Sequence, residues 1–196
     1  MTVLITGSAG FIGFHTCNIF LQKKYKVLGV DNLNSYYSVK LKKKRIDILN
    51  KNYGSQFKFI KTDIIDKKKI NNIFIKYKPK IVIHLAAQAG VRYSIENPDQ
   101  YIKSNIVGFF NILDCSRMAK IKLFFYASSS SVYGNNKNFP LSEKYNTDDQ
   151  LSLYGYIILA LLMSILYPSL VGHVYFLGIS TNPPPFCSIG TTNSDV

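Results

Sequence analysis

The sequence predicts an α/β fold in which a doubly wound parallel sheet forms the middle of three layers. Two observations predict it. Short apolar runs rich in β-branched residues alternate along the chain with longer stretches whose apolar positions recur at helical spacing. Glycines follow the first apolar run directly, as is typical of a tight turn from a buried strand into a helix. Such alternation builds right-handed βαβ units, which place parallel strands side by side beneath helices.

Residues 2–6, TVLIT, are apolar, mostly β-branched and followed by glycines, so they predict the first buried strand. Residues 11–24 have apolar positions at helical spacing and predict the first helix. Residues 25–31, YKVLGVD, predict a second strand. Residues 36–51 carry many lysines between apolar positions and predict a basic helix.

Residues 57–64, FKFIKTDI, alternate in polarity and predict a third strand, which residues 67–77 follow as a helix. Residues 80–87, KIVIHLAA, form a continuous apolar run and predict a strand buried on both faces. A long helix is predicted over residues 98–119, beginning at a proline, and a strand over residues 121–128. Ligands of such sheets bind beyond the carboxyl ends of the strands.

The length and composition suit one domain with a sizeable core, since the chain has 196 residues, of which 47% are hydrophobic. Three cysteines, Cys17, Cys115 and Cys187, lie far apart without paired spacing. This favours neither a disulfide framework nor a zinc site, so we predict no metal and a reducing compartment. Met1 leads into the first strand without a basic region or cleavage site, and we therefore expect a cytoplasmic protein.

The net charge of +13 invites a comparison with nucleic-acid-binding proteins. The lysines are concentrated in residues 40–45 and 66–72, among isoleucines and asparagines, and such runs are typical of solvated helix faces. They lack the interleaved aromatic side chains on which single-stranded nucleic acids stack. A basic nucleic-acid-binding module is therefore the less favoured alternative.

The composition changes abruptly after residue 150. Residues 151–196 contain one charged residue, Asp195, and residues 153–167 are apolar on all sides. Only about 15 residues precede Pro168, fewer than the roughly 20 that a membrane span needs. We therefore favour a buried helix over a membrane anchor, and place the boundary of the main domain near this break.

Gly7, Gly10 and Gly13 lie between the first strand and the first helix, and Asp31 ends the second strand. Glycines allow a tight turn whose N–H groups approach a diphosphate, and the helix N-terminus adds partial positive charge. An acidic residue after the second strand accepts hydrogen bonds from ribose hydroxyls and repels a 2′-phosphate. These features together predict a Rossmann-type domain that binds NAD in preference to NADP.

The Gly-x-x-Gly-x-x-Gly spacing resembles that of extended short-chain dehydrogenases/reductases. The segments DNLNSYY (31–37), HLAAQAGVRYS (84–94), SNIVGFFNIL (104–113) and YASSSSVYG (126–134) resemble NAD-dependent nucleotide-sugar epimerases and dehydratases, most closely the UDP-glucuronate 4-epimerase group. The resemblance covers residues 1–154. It implies an NAD-binding domain over residues 1–154, a tail over residues 155–196 that is foreign to the family, and no C-terminal substrate domain.

The resemblance implies a set of NAD contacts. The glycine turn with Phe11 and Ile12 would hold the diphosphate, and Asp31 with Asn32 the adenosine ribose. Asp63 and Ile64 would meet the adenine, and the segment Leu85, Ala86, Ala87 and Gln88 would line the dinucleotide. Asn105 would help to fix the sheet end near the nicotinamide side. His84 lies within an apolar strand and is interpreted as a core residue.

The resemblance also implies the catalytic residues and the substrate, a UDP-sugar such as UDP-glucuronate or UDP-galacturonate. Ser129 would hydrogen-bond the sugar 4-hydroxyl, and Tyr154 would act as general base and then general acid around a 4-keto intermediate. Arg92 would lie near the acidic sugar, although a surface arginine fits its position equally well. By analogy, the helix near Tyr154 would serve a homodimer.

Two residues separate the chain from a close alternative activity. The 4,6-dehydratases of this superfamily carry an Asp-Glu pair where this chain has Ser130 and Ser131. Elimination of water needs those carboxyl groups for additional proton transfers, which serine cannot perform at neutral pH. An epimerase is therefore favoured over a nucleotide-sugar dehydratase.

Ile158 stands where the family has a lysine four residues after the catalytic tyrosine. The lysine would lower the pKa of the tyrosine and bind the nicotinamide ribose, and isoleucine can do neither. Three explanations stay open: a truncated or frame-disrupted form of an epimerase, with little or no activity, a non-catalytic NAD-binding pseudoenzyme and, as the least favoured, a membrane anchor.

Overall fold

Six parallel strands form the central sheet of this computed structural model, which describes residues 1–142, 145, 147, 151–165 and 174–177. In chain order the strands are β1 (Thr2–Thr6), β2 (Lys26–Asp31), β3 (Phe57–Lys61), β4 (Ile81–His84), β5 (Leu123–Ala127) and β6 (Val174–Leu177). Their order across the sheet is β3-β2-β1-β4-β5-β6. The predicted doubly wound parallel α/β fold is confirmed. Successive strands are added toward one edge of the sheet from β1 to β3 and toward the other edge from β4 to β6, so the switch point lies between β1 and β4.

The helices are α1 (Phe11–Gln22), α2 (Val39–Tyr53), α3 (Lys67–Tyr77), α4 (Val91–Glu96), α5 (Pro98–Tyr101), α6 (Phe109–Met118) and α7 (Leu153–Ile165). Short 3₁₀ turns span Gly54–Gln56 and Ser130–Tyr133. Helix α2 begins later than predicted, because the Ser38 hydroxyl caps it by accepting from the N–H of Leu41. Asp66 caps α3 in the same way, through the N–H of Lys69.

The predicted helix over residues 98–119 contains a π-helical segment, Ile102–Gly108, between α5 and α6. Such wide turns are rare and often lie at functional sites. The short helix α4 and strand β6 were not predicted. The predicted boundary between residues 154 and 155 falls inside α7.

Strand β4 ends at His84, three residues before the predicted end, for a specific reason. The N–H groups of Leu85 and Ala86 donate to the Thr6 hydroxyl oxygen, each at 3.1 Å, instead of to a neighbouring strand. Strand β3 likewise ends at Lys61, because the Asp63 carboxylate accepts from the N–H of Ile65 and closes a local turn.

The core has two parts, one on each face of the sheet. Val3 and Ile5 of β1 pack on one face together with Cys17 and Leu21 of α1, while Leu4 packs on the other. This alternation buries both faces, as a sheet covered by two helical layers requires.

Helix α7 contributes Ile157 and Leu161 to the core on the second face. Within the described residues, no helix is both long enough and apolar enough to cross a membrane. The predicted tail beyond residue 165 lies outside the described residues, apart from β6.

Candidate functional site

A cavity of about 620 Å³ lies at the carboxyl ends of β1, β2 and β4. The strand register aligns these ends, since Thr6 pairs with Val30 on one side and with His84 on the other. All of the predicted cofactor residues except Asp63 and Asn105 line its wall: Gly7, Gly10, Phe11, Ile12, Gly13, Asp31, Asn32, Ile64, Leu85, Ala86, Ala87 and Gln88. The structure therefore gathers residues 80 positions apart around one space.

The glycine turn is packed so tightly that side chains cannot replace its hydrogens. Gly7 has φ of +68°, and a Cβ there would lie 2.9 Å from the backbone of Leu85 and Ala86. A Cβ on Gly13 would overlap the Gly7 carbonyl group. Gly10 donates its N–H to the Gly7 carbonyl at 3.0 Å, which closes the turn just before α1 begins at Phe11. The free N–H groups of the first turn of α1 make this end suitable for an anion.

Asp31 joins the glycine turn to the end of β2. Its side chain is nearly buried, with the residue 8% exposed. One carboxylate oxygen accepts from the N–H of Ala9 at 3.1 Å, and the other from the N–H of Leu33 at 2.8 Å. A carboxylate has about four acceptor positions, so these two bonds leave acceptor capacity at the cavity.

Asp63 does not line the cavity. One of its carboxylate oxygens accepts from the Asn32 amide at 2.8 Å and the other from the N–H of Ile65 at 3.1 Å. It therefore fastens the segment after β3 to the segment after β2, while its neighbours Asn32 and Ile64 reach the wall. An adenine contact by Asp63 stays a prediction.

Asn105 lies behind the cavity wall and is 2% exposed. Its amide pairs with both backbone groups of Gln88: the oxygen accepts from the N–H at 2.7 Å, and the NH₂ donates to the carbonyl at 2.9 Å. Asn105 belongs to the π-helical segment, which carries it toward the end of β4. It thus supports the wall that Gln88 forms, and a role of Asn105 in cofactor binding stays a prediction.

The Tyr101 hydroxyl supports the next residues of that wall. It donates to the Ala89 carbonyl at 2.8 Å and also contacts the Gly90 carbonyl. Burial raises the pKa of Tyr101 to about 12, so the hydroxyl stays a donor. The rings of Tyr101 and Tyr154 meet edge to face, with centroids 5.9 Å apart. Tyr101 therefore connects the segment after β4 to the predicted catalytic tyrosine.

His84 is a core residue, as predicted. The Thr6 oxygen already accepts two backbone N–H groups, so its own hydrogen points to His84 Nδ1 at 2.7 Å. The imidazole is then neutral and carries its proton on Nε2. Desolvation by burial lowers the pKa of His84 to about 4.

Acidification should destabilise the protein through His84. The folded pKa of about 4 lies below the usual 6.5, so the unfolded chain binds the extra proton first. The contribution of the neutral His84 to the free energy of unfolding is fully present above pH 6.5. It is lost as the pH falls toward 4, by up to about 3 kcal/mol. Urea unfolding of the wild type and His84→Gln at pH 7, 6 and 5 measures this. We expect the loss of stability between pH 7 and pH 5 to be smaller in the variant than in the wild type, and an equal loss would contradict the assignment.

A second cavity of about 30 Å³ adjoins the first and shares Leu85, Ala86, Ala87 and Ala127 with it. Its other walls come from His84, Asn105, Phe109, Tyr126, Ile158 and Leu161. Ile158 is 3% exposed. Among the residues that the structure describes, these walls include no lysine or arginine, and a buried apolar group occupies the position of the family's lysine.

Ser129, Tyr154 and Arg92 lie outside the wall of the large cavity. Ser129 follows β5 and caps the 3₁₀ turn, where its oxygen accepts from the N–H of Ser131 at 3.2 Å. Helix α7, which carries Tyr154, packs against this turn. The Arg92 side chain is 94% exposed and pairs with Glu96 at 3.5 Å. Their roles in substrate binding and catalysis stay predictions.

The comparisons with known proteins agree with this geometry. A family model described as GDP-mannose 4,6 dehydratase matches residues 4–156. The chain belongs to this family. The predicted membership of the nucleotide-sugar epimerase and dehydratase family is thereby confirmed.

This family member resembles curated and structurally characterised proteins over the same region. It is 50% identical over 155 residues to protein CapI of Staphylococcus aureus, covering 79% of this chain and 46% of that protein. It is 44% identical to UDP-glucuronate 4-epimerase 5 of Arabidopsis thaliana, covering 79% of this chain and 35% of that one. The chain thus spans about half or less of the length of these relatives.

Among solved structures, the fold matches the UDP-glucuronic acid 4-epimerase of Bacillus cereus, whose crystals contain UDP-glucuronic acid and NAD. The TM-score is 0.78 and the identity 32%, over 91% of this chain and 55% of that one. At this identity the likeness extends beyond the fold to the family itself.

Some residues that line the large cavity of this family member were not predicted from the sequence. Asn34, Tyr36, Lys42, Arg45 and Ser104 are among them. The prediction that residues 40–45 form a solvated face is wrong for Lys42, which is 7% exposed. Helical spacing could have shown this, because Lys42 shares a face with the buried Ile46 and Leu49.

Proposed function

We propose that this domain binds NAD and serves the 4-epimerisation of a UDP-sugar, with UDP-glucuronate and UDP-galacturonate as the favoured pair. The observation that carries the proposal is the cavity between the glycine turn and Asp31. Its wall offers free N–H groups for a diphosphate and a carboxylate for ribose hydroxyls. The relatives named UDP-glucuronate 4-epimerase support the choice of sugar.

The proposed chemistry uses Tyr154 and Ser129. The Tyr154 phenolate takes the proton of the sugar 4-hydroxyl as C4 is oxidised to a ketone, and Ser129 donates a hydrogen bond to the 4-oxygen. The ketose then turns over, and Tyr154 returns its proton when C4 is reduced from the opposite face. NAD, when bound, accepts and returns the hydride, so no net oxidation occurs.

Ile158 supports a second candidate, a domain that binds NAD but turns over little or no sugar. A free tyrosine has a pKa of about 10, so roughly one phenolate per thousand molecules exists at pH 7. The buried isoleucine adds no positive charge that would raise this fraction. We therefore propose that this chain is an epimerase domain of weak activity or none.

Two measurements on the purified chain test the proposal. Calorimetry with NAD should show saturable binding, and its absence at millimolar NAD with folded protein would overturn the cofactor assignment. Incubation with UDP-glucuronate should yield little or no UDP-galacturonate. Turnover equal to that of the intact relatives would contradict the weak-activity proposal, and a 4-keto-6-deoxy product from a nucleotide sugar would favour a dehydratase.

Replacing Ile158 with lysine should raise both NAD affinity and epimerisation, each at least several-fold, because an ammonium would then lie four residues from Tyr154 on α7. The same change should lower stability by about 2 kcal/mol, since a charge enters a site 3% exposed. Ile158→Met is the matched control, which keeps the site apolar and should change neither NAD affinity nor epimerisation. Destabilisation without any gain in NAD affinity or turnover would count against the role assigned to this position.

A further inference from the structure

Of the residues that the structure describes, three with charged side chains line the large cavity: Asp31, Lys42 and Arg45. The two cations belong to α2, three residues apart, and thus point to one side of that helix. One anion and two cations leave this wall with a net positive charge. An anionic group of the ligand is the partner that such a wall fits.

Lys42 is occupied within the protein. Its ammonium donates to the Asn34 backbone carbonyl at 2.9 Å and to the Asn34 side-chain oxygen at 2.7 Å. Desolvation lowers the pKa of Lys42, while the nearby charge of Asp31 raises it. Two of its three donors therefore hold the segment after β2 in place, and we assign Lys42 to that structural role.

Arg45 is held against the glycine turn. Its Nη1 donates to the Ala9 carbonyl at 3.2 Å, and its guanidinium carbon lies 5.8 Å from the centre of the Phe11 ring. The N–H of the same Ala9 donates to Asp31. Within the described residues, the bond to the Ala9 carbonyl is the one hydrogen bond of the Arg45 guanidinium, which has five N–H donors. Arg45 is thus fixed beside the turn with donor capacity to spare.

We propose that Arg45 is a phosphate ligand of the cofactor site, a role that rests on the proposed NAD binding. The turn supplies N–H groups and a partial helix charge, and Arg45 supplies a full positive charge in a planar donor fork suited to phosphate oxygens. The phosphate could belong to the diphosphate or to a ribose 2′-position. Asp31 lines the same wall and would repel a 2′-phosphate, so the geometry points to the diphosphate.

Arg45→Gln, Arg45→Lys and the control Lys44→Gln test this proposal. Lys44 is exposed on α2 and does not line the cavity, so its change removes an equal charge outside the site. Calorimetry should show NAD and ADP affinity falling about tenfold in Arg45→Gln, partly retained in Arg45→Lys, and falling less than twofold in Lys44→Gln. Ligand-detected NMR should show adenosine binding unchanged in all three, because adenosine has no phosphate.

The outcomes are distinguishable. Equal losses in Arg45→Gln and Lys44→Gln, or an equal loss for adenosine and ADP, would overturn the proposal, since Arg45 would then act through bulk charge or through the turn alone. A wild-type preference for NADP that Arg45→Gln removes would overturn the diphosphate assignment. ADP binding that depends on Arg45 in a chain that does not bind NAD would defeat the proposed function and leave this inference standing. Thermal unfolding confirms that each variant is folded.

Discussion

The Gly13→Ala variant is expected to lose NAD binding and much of its stability. A Cβ at this position would lie against the Gly7 carbonyl oxygen, 2.7 Å from the Gly7 carbonyl carbon and 2.9 Å from Ser8 Cα. All of these are backbone atoms of the turn, so no side chain can move aside. We expect unfolding free energy to fall by about 3 kcal/mol or more, and NAD affinity to fall at least a hundredfold. Urea denaturation and calorimetry measure the two effects.

Gly54→Ala is the matched control for Gly13→Ala. Gly54 has φ of +50°, but a Cβ there would meet no atom within 4 Å. Alanine at this position therefore adds backbone strain without a clash, which lowers the free energy of unfolding by about 1 kcal/mol. Gly54 does not line the cavity. NAD affinity should be unchanged. Gly13→Ala protein with wild-type NAD affinity would show that the turn's close packing does not shape the site.

Removing the Asn105 amide should produce the second large effect. In Asn105→Leu, both backbone groups of Gln88 lose their partners in a buried setting. Each unpaired group costs about 1–3 kcal/mol, so we expect a loss of about 2–6 kcal/mol in unfolding free energy. The wall formed by Gln88 loosens with it, and NAD affinity should fall at least tenfold. Wild-type stability in this variant would contradict the role of the amide.

Asn105→Asp supplies a variant of the same shape with a titratable group. Its carboxylate could accept from the Gln88 N–H but would face the Gln88 carbonyl without a hydrogen, which favours the protonated acid and raises its pKa in the folded state. Relative to wild type, this variant should be most stable below the unfolded aspartate pKa of about 4 and lose stability as the pH rises. Asn105→Leu should show no such difference, which separates hydrogen bonding from packing.

Prediction from the sequence succeeded where the pattern is local. All five predicted strands exist, and the glycine turn and Asp31 lie where they were expected, because apolar periodicity and glycine spacing act within a few residues. It failed at strand ends. Thr6 ends β4 by binding the N–H groups of Leu85 and Ala86, nearly 80 residues away, and no local pattern reveals that pairing.

The same limit applied to the site's supporting residues. Asn105 was expected near the sheet end. Its pairing with both backbone groups of Gln88 depends on a π-helical turn, which the sequence did not predict. Lys42 and Arg45 were hidden in a lysine run whose exposed members resemble them in type. Their position at the cavity depends on how α2 packs against the glycine turn.

The amino-acid sequence alone predicted the first five strands, most of the helices, the glycine turn and the acidic residue that ends β2, because backbone conformation and apolar spacing are local properties. It also revealed Ile158 in place of a lysine. Only the tertiary structure decided that Ile158 is buried beside a small cavity, that Asp63 binds Asn32, and that Arg45 reaches the glycine turn. These are contacts between distant segments, and they arise only when helices pack onto the completed sheet.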